Sequence, residues 1–370
     1  MTRNTNRSIL RSLALAALLL TSATAVAEVH IPPAPLPPLP ATAALDPAVE
    51  ADINAKGYHV GEIAEDVFWI TDGNYHSLLI VTPRGAVLVD APEPLPFFGP
   101  MPVLPAIAEV TDHPVTHMIY SHAHTDHIGG AGAIKAAFPD VRIIAQEETR
   151  DILERAGDPR RPVPDTVFRN ARNVTIGGKR IELHYFGNTH ERGNIFVYLP
   201  EPKILMAVDI VYPGWVPFRR LALSSDIGGW ISGHDDILSF DFDTLVGGHL
   251  TRLGNRDDVI LAKEYVDDIR SSIEEIYLDA NVLFAAIGAI NQEHDADNDF
   301  MGFFAFQTVA KWALFSAFYD FSTQHCAEVL DAKYRSDMGP DPSKHLGGAE
   351  TFDFSNCEAY FVARRLGIEQ

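Results

Sequence analysis

The sequence predicts an α/β fold: a four-layer αββα sandwich followed by a C-terminal helical extension. Three observations carry this expectation. Two sets of short β-type runs, over residues 67–90 and 174–211, share one texture, and each leads into a turn bearing ligand-type side chains. Between them, from Val115 to Gly157, strand-like and helix-like segments alternate. Beyond Asp257 the pattern changes to long helical segments.

Residues 1–27 come first. Arg3, Arg7 and Arg11 precede an apolar run from Leu13 to Leu20, and Ala25-Val26-Ala27 offers a small-residue cleavage site. That order reads as a secretory signal peptide, too short for a membrane span. No cysteine lies near the site, so no lipid anchor is expected, and no later uncharged apolar run is long enough to span a bilayer. The expected location is periplasmic or secreted. Without the three arginines of that segment, 26 basic residues face 50 acidic ones. Such an excess argues against nucleic acid or an anionic membrane as partner and leaves a small-molecule substrate.

Residues 28–52 are dense in proline and are expected to form an extended linker. The sandwich is expected over 53–256. VFWIT (67–71), SLLIVT (77–82) and AVLVD (86–90) read as strands separated by Asp-Gly-Asn and Pro-Arg-Gly turns. Residues 91–105 read as an apolar, proline-rich loop, whose Phe97 and Phe98, with Trp215 and Phe218, are candidate walls of a substrate pocket. VTHMIYS (115–121) is a strand, 129–138 has helical composition, VRIIA (141–145) is a strand, and 146–157 is a helix ended by glycine. The second strand set comprises 174–186, 194–200 and 203–211. Residues 257–370 form the helical extension. Its segment 302–321 is apolar on most faces and is expected to be buried against the sandwich or in a homodimer contact. Cys326 and Cys357, the two cysteines, fit either a staple in an oxidising compartment or two unpaired buried thiols.

The densest chemistry lies in SHAHTDHIGGAG, residues 121–132. His122, His124, Asp126 and His127 occupy the turn after a strand, where side chains can converge on one point. Imidazoles with a carboxylate and no nearby cysteine suit a catalytic site for a borderline cation such as zinc.

His122-Ala-His124-Thr-Asp126-His127 resembles the His-x-His-x-Asp-His signature of the metallo-β-lactamase superfamily. The other motifs follow in order: Asp90 in AVLVD, His190 in GNTHERGNI, Asp209 in LMAVDIV and His249 in LVGGHL. Two details depart from the usual pattern. His190 stands two positions later than in Gly-His-Thr, with His184 as a competitor, and Val208 replaces the glycine before the aspartate. The resemblance implies two Zn2+ per chain. His122, His124 and His190 would hold one, Asp126, His127 and His249 the other, with Asp209 bridging and Asp90 supporting from behind. It also implies that a shared hydroxide attacks the substrate, with Asp126 orienting it and shuttling the proton.

A bridging aspartate is similar to glyoxalase II thioesterases, lactonases and phosphodiesterases, whereas β-lactamases usually carry cysteine or serine there. Asp209-Ile-Val-Tyr212 resembles the Asp-x-x-Tyr of acyl-homoserine lactonases, which would give Tyr212 an oxyanion role. An ordinary aromatic after a strand is the equal alternative. His76, in a turn, is expected to have a structural or substrate-edge role, and His234 has acidic neighbours that could mimic a ligand set but equally fits a solvated loop or helix start. The leading expectation is therefore an exported dinuclear zinc hydrolase acting on a lactone or ester. The alternatives are a thioesterase, a β-lactamase-like enzyme, a phosphodiesterase, a mononuclear iron dioxygenase of the persulfide type, and a non-catalytic binding scaffold.

Overall fold

In the computed structural model, residues 39–93, 102–278 and 307–367 are described, and their strands form two sheets. The first runs β1 (His59–Ala64), β2 (Val67–Thr71), β3 (His76–Thr82), β4 (Gly85–Val89), β5 (Val115–Ile119), β6 (Arg142–Gln146), β7 (Thr166–Phe168), in that spatial order. Its first four strands are antiparallel, and pairing is parallel from β4 onward. The second contains β8 (Ala171–Ile176), β9 (Lys179–His184), β10 (Phe196–Leu199), β11 (Ile204–Ala207) and β12 (Thr244–Val246), ordered β12-β11-β10-β9-β8. Only its β11–β12 pair is parallel.

Side-chain alternation builds three core layers. Leu78 and Ile80 of β3, with Val87 and Val89 of β4, meet Ile204 and Met206 of β11 between the sheets. Leu79 and Leu88 point to the opposite face. Burial on both faces is why these strands read as unbroken apolar runs.

The helices are α1 (Pro47–Lys56), α2 (Val103–Val110), α3 (Thr125–Ile128), α4 (Ala131–Ala137), α5 (Glu147–Ala156), α6 (Ile227–Leu238), α7 (Arg256–Leu278), α8 (Gln307–Tyr334) and α9 (Ala349–Leu366). Ile107, Ile134 and Leu153 of α2, α4 and α5 cover the first sheet. Trp230, Tyr265, Leu330 and Tyr360 of α6 to α9 share a core with Leu205 and Ala207 of the second. Helices therefore cover the outer face of each sheet, giving the expected four-layer α/β sandwich with C-terminal helices.

Several segments differ from expectation. The proline-dense stretch does not stay extended to residue 52: Ala41–Ala43 forms a short 3-10 turn and α1 starts at Pro47. Asp46 caps that helix by accepting from the Ala48 N–H at 2.7 Å, and proline suits the first helical position. The loop expected at 91–105 turns helical at Val103, because Pro105 falls in a first turn that tolerates it. The helical extension, by contrast, packs on the sandwich, one of the two placements expected for it: α7 to α9 lie in the same apolar core as β10 and β11. A Cys326–Cys357 disulfide joins α8 to α9. The expected signal peptide, the first part of the linker, and Phe97 and Phe98 lie outside the described residues. Among the described residues no helix is long and apolar enough to cross a membrane.

One segment is unusual. Arg220, Leu221, Ala222 and Leu223 all have positive φ, at 59°, 53°, 63° and 56°, making a left-handed turn without glycine. Each such residue costs about 1–2 kcal/mol against the right-handed form. Burial of Leu221 and Ala222 in the second-sheet core opposes that cost.

Candidate metal centre

Asp90, His122, Asp209 and His249 each lie just beyond a strand end, after β4, β5, β11 and β12. Past the strand, side chains are released from strict alternation and can point to one place. Asp90 and Asp209 adopt φ of 60° and 66°, a left-handed conformation that aims both carboxylates out of the sheet direction.

The structure brings the seven candidate ligands together. Ligand atoms of His122, His124, His190 and Asp209 lie within 4.8 Å of one another, as do those of Asp126, His127 and His249. Asp209 joins the two sets. Its Oδ2 lies 3.1 Å from His127 Nε2, 3.2 Å from His190 Nε2 and 3.5 Å from His122 Nε2, and its Oδ1 is 3.0 Å from His249 Nε2.

The donor set fits a cation. Ring nitrogens face each other at 3.2 Å between His124 and His190, and at 3.0 Å between His127 and His249. His122 Nε2 is buried and has no hydrogen-bond partner. Buried nitrogens gathered round one carboxylate are costly unless something positive shares them. Imidazole and carboxylate donors, with both cysteines tied in the distant disulfide, suit a borderline divalent ion.

Protonation follows the same crowding. Burial holds the imidazole of His122 well below its usual range, and burial also lowers His190 to about 4. At His127 burial pulls downward, but Asp209 and Asp126 outweigh it and raise the ring to about 10. At Asp209 burial pulls upward, and His127, His249 and His190 overturn it, keeping the carboxylate ionised. In the metal-free cluster His127 thus holds its proton against Asp209, and an incoming cation must displace that proton.

Supporting contacts come from distant segments. Asp90 Oδ1 accepts from the Ser121 N–H at 2.8 Å, pinning the start of the histidine turn. Burial, only partly offset by His127, raises the Asp90 carboxyl to about 6. The Trp230 indole N–H donates to the Asp209 carbonyl at 2.8 Å. His76, fully buried, uses Nε2 to hold the Leu250 carbonyl at 2.8 Å, next to His249. Gly229 of α6 presses on the His190 loop so closely that a Cβ there would lie 1.6 Å from the Asn188 carbonyl oxygen.

Tyr212 is buried, its ring stacked 5.8 Å from that of His249, and its hydroxyl donates to Asp209 Oδ1 at 3.3 Å. Glu191, which sequence reasoning passed over, places Oε2 3.7 Å from His124 Nε2 at the rim. Its position directly after His190 was the available signal. Trp215 donates from Nε1 to Thr251 at 3.2 Å and belongs to the core margin, whereas Phe218 is 49% exposed against Phe352. Neither is part of the ligand cluster.

Residues 70–249 match the model of the metallo-beta-lactamase superfamily. This region is a metallo-β-lactamase-superfamily domain. Among its relatives, 2,4-dinitroanisole O-demethylase subunit alpha from Nocardioides sp. (strain JS1661) is 32% identical over 196 residues, covering 52% of this chain and 57% of that protein. The linear primary-alkylsulfatase of Pseudomonas sp. (strain ATCC 19151) is 22% identical over 227 residues, covering 49% and 42%. The matches thus span about half the length of these relatives. A solved metallo-beta-lactamase from Pontibacter korlensis aligns with TM-score 0.48 and 22% identity, over 56% of this chain and 97% of that one.

Within this metallo-β-lactamase domain the two departures in motif have a structural setting. His184 sits in β9, 3.2 Å from Glu182 and stacked on Phe186, while His190 enters the cluster. Val208 fills the inter-sheet core and leans on Gly248, where a Cβ would come within 2.6 Å of Val208 Cγ1. Gly248 in the facing loop leaves room for the bulk before Asp209.

Proposed function

We propose that this protein is an exported metal-dependent hydrolase, holding two zinc ions, that attacks a carbonyl substrate such as a lactone or ester. The observation that carries this reading is Asp209, whose two carboxylate oxygens reach histidines of both ligand sets within 3.5 Å. His122, His124 and His190 would hold one ion and Asp126, His127 and His249 the other, with Asp209 between them. Bound there, such ions lower the pKa of water towards neutrality and polarise the substrate oxygen.

The chain's own residues have defined parts in that chemistry. Asp126, with its side chain 39% exposed at the mouth, would take the proton from the attacking water and hand it to the leaving oxygen as the acyl C–O bond breaks. Tyr212 has its phenol pushed far above the usual range by burial and by Asp209, so it stays protonated as a donor. The phenol would swing its donated hydrogen bond from Asp209 to the developing oxyanion while keeping its proton. The Cys326–Cys357 disulfide supports an oxidising compartment.

A second reading follows from the two relatives, named for O-demethylation of 2,4-dinitroanisole and for a primary alkylsulfatase. It is cleavage of an activated aryl ether or an alkyl sulfate at the same centre. A panel of lactones, aryl esters, thioesters, β-lactams, phosphodiesters, 2,4-dinitroanisole and a primary alkyl sulfate, run on zinc-loaded protein, separates the two. Lactone or ester turnover is expected. Turnover of the ether or sulfate alone would replace the carbonyl reading. Tyr212→Phe is expected to retain metal and lose about 100-fold in kcat on the lactone. Unchanged lactone kinetics would leave Tyr212 with no part beyond orienting Asp209.

A further inference from the structure

The left-handed turn at 220–223 has no role in the chemistry above, yet both of its ends lead to something specific. On one side stands α9. Asn356 is fully buried, and its side-chain amide accepts from the Leu221 N–H at 2.8 Å while donating to the Pro217 carbonyl at 3.1 Å. The same NH2 group donates at 3.1 Å to Tyr265 of α7, whose hydroxyl donates in turn to Asp353 at 2.7 Å. Ser355 Oγ receives the Arg220 N–H at 3.3 Å, and the Arg220 guanidinium is paired with Glu358 at 2.6 Å. One turn of α9 therefore grips the left-handed segment through its backbone and its one cationic side chain.

On the other side stands the metal centre. Directly after the turn, the Ser225 N–H donates to the His190 carbonyl at 2.9 Å. The Ser224 hydroxyl sits 3.0 Å from that same oxygen and 3.2 Å from the Thr189 carbonyl. His190 is itself buried, with Nε2 aimed at Asp209 Oδ2 from 3.2 Å. The route from Asn356 to a ligand nitrogen thus runs through a turn whose backbone would not hold this shape without outside restraint.

We propose that α9 sets the position of His190, with Asn356 as a positioning residue for the ligand set His122, His124, His190 and Asp209. The C-terminal helices then serve the metal centre directly, and the strained turn transmits their hold. Outer contacts of this kind commonly govern metal affinity by 10-fold or more. Asn356 acts at longer range, through backbone carbonyls, and only on the set that contains His190. This rests on the two-cation reading of the centre.

Cobalt(II) titration of the metal-free, disulfide-intact protein tests it, followed by the d–d absorption of the bound ion. Two equivalents are expected to bind the unaltered protein. Asn356→Ala is expected to weaken one equivalent about 10-fold and to leave the other within about 3-fold. His190→Ala should weaken the same equivalent, and Asn356→Ala added to His190→Ala should cause no further loss. Ser224→Ala, a change at a half-buried hydroxyl with little risk to folding, should weaken that equivalent by a few-fold. Equal weakening of both equivalents, additive losses in the double variant, or unchanged affinities in both Asn356→Ala and Ser224→Ala would overturn the proposal. Failure of the unaltered protein to bind two equivalents would instead overturn the two-cation reading.

Discussion

Asp209→Asn is expected to lower kcat by more than about 100-fold and to weaken metal binding at both ligand sets. Contacts that merely orient a ligand commonly account for 10- to 100-fold, and Asp209 is one step closer. Its carboxylate is the group shared by His122, His127, His190 and His249. Asparagine keeps the shape and one oxygen but removes the charge that keeps buried imidazoles together. His127, raised to about 10 against its burial chiefly by Asp209, should then hold its proton less tightly. Metal analysis and steady-state kinetics of the purified variant check this. A variant that kept both metals and near-normal kcat would show that Asp209 does not join the sets.

The second large effect concerns stability. The Cys326–Cys357 bridge closes a 31-residue separation between α8 and α9, for which the chain-entropy model gives about 3–4 kcal/mol. Double replacement of both cysteines by alanine should lower the melting temperature by roughly 5 °C. Calorimetry of the variant, and of the unaltered protein with and without reductant, measures it. Since α9 also carries Asn356 and packs against α7 and α8, the first region to loosen should be the C-terminal helices. An unchanged melting temperature would mean that core packing of Tyr265, Tyr334 and Tyr360 alone secures them.

What the sequence showed, and what it hid, follows from burial and spacing. β3 and β4 were legible as apolar runs because both their faces are covered. β1, whose residues are half-buried or exposed, gave no such contrast, and β7 and β12 have only three residues each. α2 was masked by Pro102 and Pro105, and α1 by the prolines that precede it. α9 was not picked out as a separate helix within the expected 257–370 extension, although its Cys357 was noted. All seven ligand candidates were legible: four crowd into the turn after β5, and the resemblance to the superfamily's motifs pointed to His190, Asp209 and His249. Among their supports, Asp90 followed from the resemblance and His76 was expected to be structural or at the substrate edge. Trp230, Ser224, Ser225 and Asn356 were hidden: they act through backbone carbonyls or N–H groups, and residue type alone does not announce that work. The left-handed turn was equally hidden, because Arg-Arg-Leu-Ala-Leu has the composition of an ordinary right-handed helix.

The centre itself is most directly tested by the metal content of the purified protein, measured by mass spectrometry. The predicted result is about two zinc ions per chain, matching the two ligand sets around Asp209. About one iron per chain with no zinc would contradict it.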